Sequence, residues 1–261
     1  MSGGIYSSDV FGNVIHVECK VTRGLPSMQI IGLASKALDE AKDRVRAAFH
    51  STGLEFPKGR VLVNLSPADL PKDGSSYDLP IALAILQAST ILRHFKADIF
   101  AVGELALDGS ILPVHGTIGR LRAKSLPAVS AIILPALNAH QAQRATTKRL
   151  IPVGTLSELI DIIEGKAQPH AIPPMPITST TDDDSFSEVK GQILAKRALQ
   201  IAAAGRHNVL LYGPPGAGKS MLAKALASIL PDLTEQEQLD STHIHSLRDE
   251  NREHMIMRTP I

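Results

Sequence analysis

A chain of 261 residues with 44% hydrophobic content has room for two cores of modest size. Its 27 Lys and Arg against 26 Asp and Glu leave a formal charge of +1, which excludes any global electrostatic argument for nucleic acid, membrane or acidic partners. One cysteine, Cys19, excludes an intrachain disulfide; with no basic-then-apolar leader and no apolar run of about eighteen residues, the chain reads as soluble and cytoplasmic.

From Val14 to Val21 apolar residues alternate with His16, Glu18 and Lys20, which predicts a strand with one buried face and places Cys19 on that face. Between Ser35 and Ser51 the residues Leu38, Ala41, Val45 and Ala48 share one helical face, predicting an amphipathic helix that Gly53 stops. Arg60–Leu65 predicts a second strand, Ser66–Ser76 a polar loop, and Asp78 the cap of a helix reaching Ala88. Asp108-Gly109, between Glu104–Leu107 and Ser110–Val114, predicts a hairpin, because both turn residues tolerate positive φ. Apolar runs at Ala131–Leu134 and Leu150–Val153, with a helical pattern over Thr155–Glu164, complete a first domain over residues 1–165 that is α/β or α+β. Residues 166–185 are rich in Pro, Ser, Thr and Asp and carry no periodicity, so they read as a linker to a second domain, 186–261.

That second domain carries the chemistry. His207–Ser220 reads HNVLLYGPPGAGKS: a short apolar stretch, Val209–Tyr212, is expected as a strand delivering a Gly-x4-Gly-Lys-Ser loop to a helix over Met221–Leu230. Gly213, Pro214, Pro215, Gly216, Ala217, Gly218, Lys219 and Ser220 form the loop. Its glycines let backbone amides turn inward on phosphate oxygens, and the following helix points its positive end at the same place. Lys219 is expected to reach the β- and γ-phosphates and Ser220 to offer its hydroxyl to Mg²⁺, so ATP with Mg²⁺ is the expected ligand. Hydrolysis also needs a strand-borne acid on the metal and a polar group on the attacking water. Between Pro231 and Ile261 no run of four apolar residues ends in Asp or Glu, so the nucleotide domain reads as partial.

Several long strings occur together: VTRGLPSMQIIGL at Val21–Leu33, VLVNLSPADLPKDGSSYD at Val61–Asp78, GELALDGSILP at Gly103–Pro113, and Phe186–Ser220 with its Val-Lys-Gly-Gln and phosphate loop. In these the whole chain resembles the N-terminal half of the ComM/YifB family of magnesium-chelatase-like AAA+ ATPases. The resemblance implies a ring-forming ATPase that acts on DNA, in helicase-like branch migration during recombination of transforming DNA. It also implies that Val189, Gly191 and Gln192 lie near adenine. The fold it implies is α/β overall: an α+β N-terminal domain like the Lon-protease C-terminal and S5-domain-2 folds, then a partial P-loop NTPase domain. The alternatives are a truncated nucleotide binder without turnover and a Lon-like serine peptidase. A true magnesium-chelatase subunit is disfavoured by the N-terminal platform.

For the peptidase, Pro71-Lys72-Asp73-Gly74-Ser75-Ser76 is similar to the Lon stretch that holds the catalytic serine, and Ser76 takes that place. A Ser–Lys pair needs a lysine of lowered pKa as base. At the position matching the Lon lysine stands Ile118, and Lys124 lies farther along, so Ser75 and Ser76 are read as loop and helix-capping residues. His243 and His245, with His254 nearby, are read as helix-face or solvated residues rather than metal ligands. Arg120, Arg122 and Lys124 form one basic group and Arg144, Lys148 and Arg149 another, either of which is a candidate contact for DNA phosphates. Three tyrosines and no tryptophan argue against a base-stacking platform.

Overall fold

The computed structural model describes residues 3–33, 35–89, 97–123, 126–172 and 185–247. Most of the expected linker (173–184), Lys124, His254 and Met255–Ile261 lie outside them. The described residues form two compact units, 3–172 with 243–247 and 185–242.

The first unit runs β1 (Ile5–Ser8), β2 (Val14–Thr22), β3 (Ser27–Ile31), α1 (Lys36–Ser51), β4 (Arg60–Ser66), α2 (Asp78–Ala88), β5 (Ile99–Ala101), β6 (Glu104–Leu105), β7 (Ile111–Leu112), α3 (Thr117–Leu121), β8 (Ala131–Pro135), α4 (Ala139–Ala145), β9 (Leu150–Val153) and α5 (Leu156–Ile163). Seven strands form one mixed sheet in the order β3-β4-β2-β1-β5-β8-β9. β2 is antiparallel to β1 and β4, and the other neighbours are parallel. The fold is α/β.

Alternation explains the two faces. Ile99, Ala101, Ala131 and Ile133 face a core shared with α1 and α2, whereas Phe100, Val102, Ile132 and Leu134 face a second cluster with Leu121 and Ala142. Strands buried on both sides read as unbroken apolar runs, and the expected run at Ala131–Leu134 is β8. In α1 the residues Leu38, Ala41, Val45, Ala48 and Phe49 are fully buried. Each large side chain among them contributes roughly 1.5–3 kcal/mol of apolar burial. Gly53 takes φ 72°, the left-handed conformation that ends the helix as expected. α2 is buried from Asp78 to Leu86, and beyond Asp78 those buried positions are apolar on every side, as in a helix enclosed by its neighbours.

Two expected caps are corrected. Asp78 does not cap α2: it is the helix's first residue, Tyr77 holds the cap position, and no side chain caps it. Its carboxylate instead accepts from Arg44 Nε at 2.7 Å, Arg44 Nη2 at 3.1 Å and Leu105 N–H at 3.2 Å. Ser75 and Ser76 lie in a one-turn 3-10 helix and cap nothing; the Ser75 hydroxyl donates to Glu104. The Asp108-Gly109 hairpin forms between β6 and β7, with Gly109 at φ 88° and Ser110 N–H donating to Asp108 Oδ1 at 2.9 Å. Cys19 is half-buried, and loss of water pushes its thiol up to about 12.

The second unit is built from α6 (Ser185–Glu188), α7 (Ile193–Gly205), α8 (Lys219–Ile229) and the greater part of α9 (Glu235–Ser246). Its small core joins Phe186, Val189, Leu199, Leu222 and Ala225. The expected strand at Val209–Tyr212 is not one: those residues pair with no strand among the described residues. Leu210 is 91% exposed and Tyr212 99%. A strand exists only as part of a ladder, so an apolar run without a neighbour remains extended coil.

Candidate nucleotide-binding site

Gly213–Ser220 forms a loop that turns directly into α8. Gly216 at φ 78° and Gly218 at φ 83° supply backbone that a β-carbon would strain, which is why glycine stands at both. Gly218 caps α8, so Lys219 and Ser220 are the helix's first residues. Among the described residues nothing accepts from the N–H groups of Gly216, Gly218, Lys219 or Ser220. Four unpaired donors at a helix N-terminus make a ready anion cradle. The Lys219 ammonium folds over the loop, donating to Gly213 O at 2.9 Å and Pro214 O at 2.7 Å. Ser220 is exposed at the first turn, available to a cation held by phosphate oxygens. No group of three His, Cys, Asp or Glu that would hold a metal alone occurs among the described residues, so a magnesium ion here needs the ligand's own oxygens.

The three residues expected near the base divide. Val189 is 3% exposed and packs in the unit's core. Gly191 and Gln192 are exposed, both at positive φ, and the Gln192 amide donates to Ala217 O at 3.4 Å, tying that turn to the Gly213–Ser220 loop. Lys196 Nζ donates to Val189 O at 2.9 Å and lies over the Phe186 ring. Between α6 and α8 opens a cleft of about 530 Å³ lined by Ser185, Glu188, Val189, Ser220, Met221, Lys224 and Ala225. Glu188, Met221, Lys224 and Ala225 escaped the sequence reading. Their spacing carried the information: positions 220, 221, 224 and 225 share one helical face.

The peptidase elements do not assemble. Ser76 is 4% exposed, and its buried Oγ has no hydrogen-bond partner, so no base activates it. Ile118 is fully buried in the position the Lon resemblance gave to a lysine. Lys72 is buried, its ammonium pKa lowered by loss of water, and its amine donates to the Pro67 carbonyl. Of the basic groups, Arg120 is also corrected: at 5% exposure it donates to the Ser8 and His115 carbonyls and lies over the Tyr77 ring, out of reach of DNA. Arg122, Arg144 and Arg149 are exposed. His243 and His245 lie on α9.

Comparison with known proteins agrees with both units. Residues 17–138 match the family described as subunit ChlI of Mg-chelatase, and residues 185–261 match magnesium chelatase, subunit ChlI. The chain is 40% identical over 234 residues to the uncharacterized protein YifB of Escherichia coli, covering 89% of this chain and 46% of that protein. It is 36% identical over 254 residues to competence protein ComM of Haemophilus influenzae, covering 92% and 48%. A fainter likeness, 25% over 174 residues, joins 64% of the chain to 22% of a Lon protease of Mycolicibacterium smegmatis. The chain thus spans about half the length of the YifB and ComM relatives it matches. A glycine-rich loop at a helix start, preceded by a mixed sheet and matched along nine-tenths of the chain, leads to one assignment: this chain belongs to the ComM/YifB family of Mg-chelatase-like AAA+ proteins.

Proposed function

We propose that the chain binds ATP with Mg²⁺ at Gly213–Ser220, as the nucleotide-binding part of an AAA+ ATPase whose whole form assembles as a homo-oligomeric ring and acts on DNA. One observation supports the nucleotide reading: four backbone N–H groups of the loop and the start of α8 have no acceptor among the described residues, and the Lys219 ammonium lies on carbonyls of the same loop. The residues fit the ligand. Backbone amides hold phosphate oxygens, Lys219 exchanges its two loop carbonyls for the terminal phosphates, and Ser220 faces the cation. Magnesium supplies charge neutralisation across those phosphates.

The DNA reading rests on the family resemblance and on the exposed Arg122, Arg144 and Arg149, which are suited to phosphate contact. No described helix is long and apolar enough to cross a membrane.

Titration of a fluorescent ATP analogue with Mg²⁺ tests the proposal. Saturable binding that weakens at least about tenfold in Lys219→Ala is the expected result, a change equivalent to about 1.4 kcal/mol. Equal binding by both proteins, or none by either, would overturn it. Phosphate release from ATP then separates the ATPase from the non-hydrolysing binder.

A further inference from the structure

β3 ends the seven-stranded sheet, and only one of its two edges has a neighbour, β4. Ser27 N–H donates to Gly59 O at 3.4 Å, so in this parallel ladder Ser27, Gln29 and Ile31 turn their backbone groups towards β4, while Met28 and Ile30 turn theirs outward. Among the described residues nothing pairs with that outward row. Edge strands commonly carry a charge, a proline or a cover that keeps other strands away. The strand at the opposite edge, β9, has Pro152, and the β6–β7 hairpin takes its end, where Ile111 N–H donates to Gly154 O at 2.8 Å. β3 reads Ser-Met-Gln-Ile-Ile, without charge or proline, and Leu25, Ile31 and Leu33 are exposed along its length and at its ends.

We infer that β3 is a homotypic docking edge: two copies of this chain join their sheets through Ser27–Ile31, antiparallel about a twofold axis at Gln29. The pattern of the strand fits its own copy. The register that engages both outward residues sets Met28 against Ile30 of the second copy and Ile30 against Met28, with four backbone hydrogen bonds. Gln29 then lies opposite Gln29, and the same register brings Leu25 of each copy to Leu33 of the other, so the exposed leucines cover one another. With no charge on β3, none meets its own copy across the axis. The pairing belongs to the first unit and calls on no residue of the Gly213–Ser220 loop, so it needs no nucleotide, and a twofold pair closes on itself where a ring contact does not. Five paired residues a side bury less than about 1,200 Å² in all, which makes the dimer a weak one.

Sedimentation equilibrium of the full chain without nucleotide tests this. The unaltered chain should approach twice the monomer mass as its concentration rises to about 200 µM, the range of a weak interface. Gln29 faces itself in a non-hydrogen-bonded pair, with Cα atoms about 4.5 Å apart, where like charges repel and opposite charges attract. Gln29→Glu and Gln29→Lys should each dimerise at least about threefold more weakly than the unaltered chain, and an equimolar mixture of the two should regain the dimer. Arg60 Nη2, which donates to Gln29 Oε1 at 2.8 Å, softens the first effect and sharpens the second. Gln29 is exposed, so both variants should fold, and melting curves that match the unaltered chain verify it. An unaltered chain that stays monomeric over the whole range overturns the inference. So do variants that dimerise undiminished, which would place the contact elsewhere, and a mixture that associates no better than its components.

Discussion

The Asp78 carboxylate is fully buried, against an Arg44 side chain that is 19% exposed. Burial pushes its pKa up, while the two-pronged guanidinium and the Leu105 N–H draw it back towards the charged form. In such a pair the attraction offsets desolvation, so its net worth is small but its rupture is costly. Arg44→Met should destabilise the first unit by about 3–5 kcal/mol in urea unfolding at neutral pH, because it strands a buried charge. The double change Arg44→Met with Asp78→Leu should recover most of that loss. An Arg44→Met protein as stable as its parent would show that Asp78 is neutral in the fold. Asp78 also shows where local reading ends, since aspartate at a helix start is a common cap. Only the approach of Arg44, 34 residues away, turns its carboxylate inward.

At the scale of elements, α9 begins with a reciprocal pair. Thr234 N–H donates to Glu237 Oε2 at 2.8 Å, and Glu237 N–H donates to Thr234 Oγ1 at 3.4 Å, while Arg206 holds the same carboxylate. Arg206 and then Thr234 push Glu237 down to about 2 from 4.5. A depressed carboxylate stabilises above its unfolded pKa, so this helix start is fully supported above about 4.5 and loses support as pH falls towards about 2. Carboxyl NMR should show Glu237 titrating near the lower value, with the first-turn amides of α9 exchanging faster across that window. Titration near 4.5 with no change in exchange would refute the pairing. Periodicity or a turn residue revealed β2, α1, β4, α2, the β6–β7 hairpin, α5 and α8, and unbroken apolar runs revealed β8 and β9. β1, with two serines in four residues, β3, with a serine and a glutamine in five, and β5, of three residues, carry neither signal.

On the scale of the whole molecule, the two units hold separate cores of unequal size. Among the described residues the first gathers more than thirty buried apolar side chains into two clusters, the second five into one. The second should therefore melt first in calorimetry, and its α8 amides should exchange before those of α2. Mg-ATP at about 100 times its Kd should stabilise that lower transition alone, by about 2.7 kcal/mol. A single transition that shifts as one would contradict this division. Contiguous residues were enough to reveal the glycine-rich loop, the helix it opens and the family, because that motif forms through its own backbone geometry. Tertiary structure alone decided that Val209–Tyr212 stays coil, that Arg120 is buried, and that Glu188 and Lys224 line one cleft. Ladders, desolvation and shared clefts depend on partners distant in the chain, and packing brings those partners together.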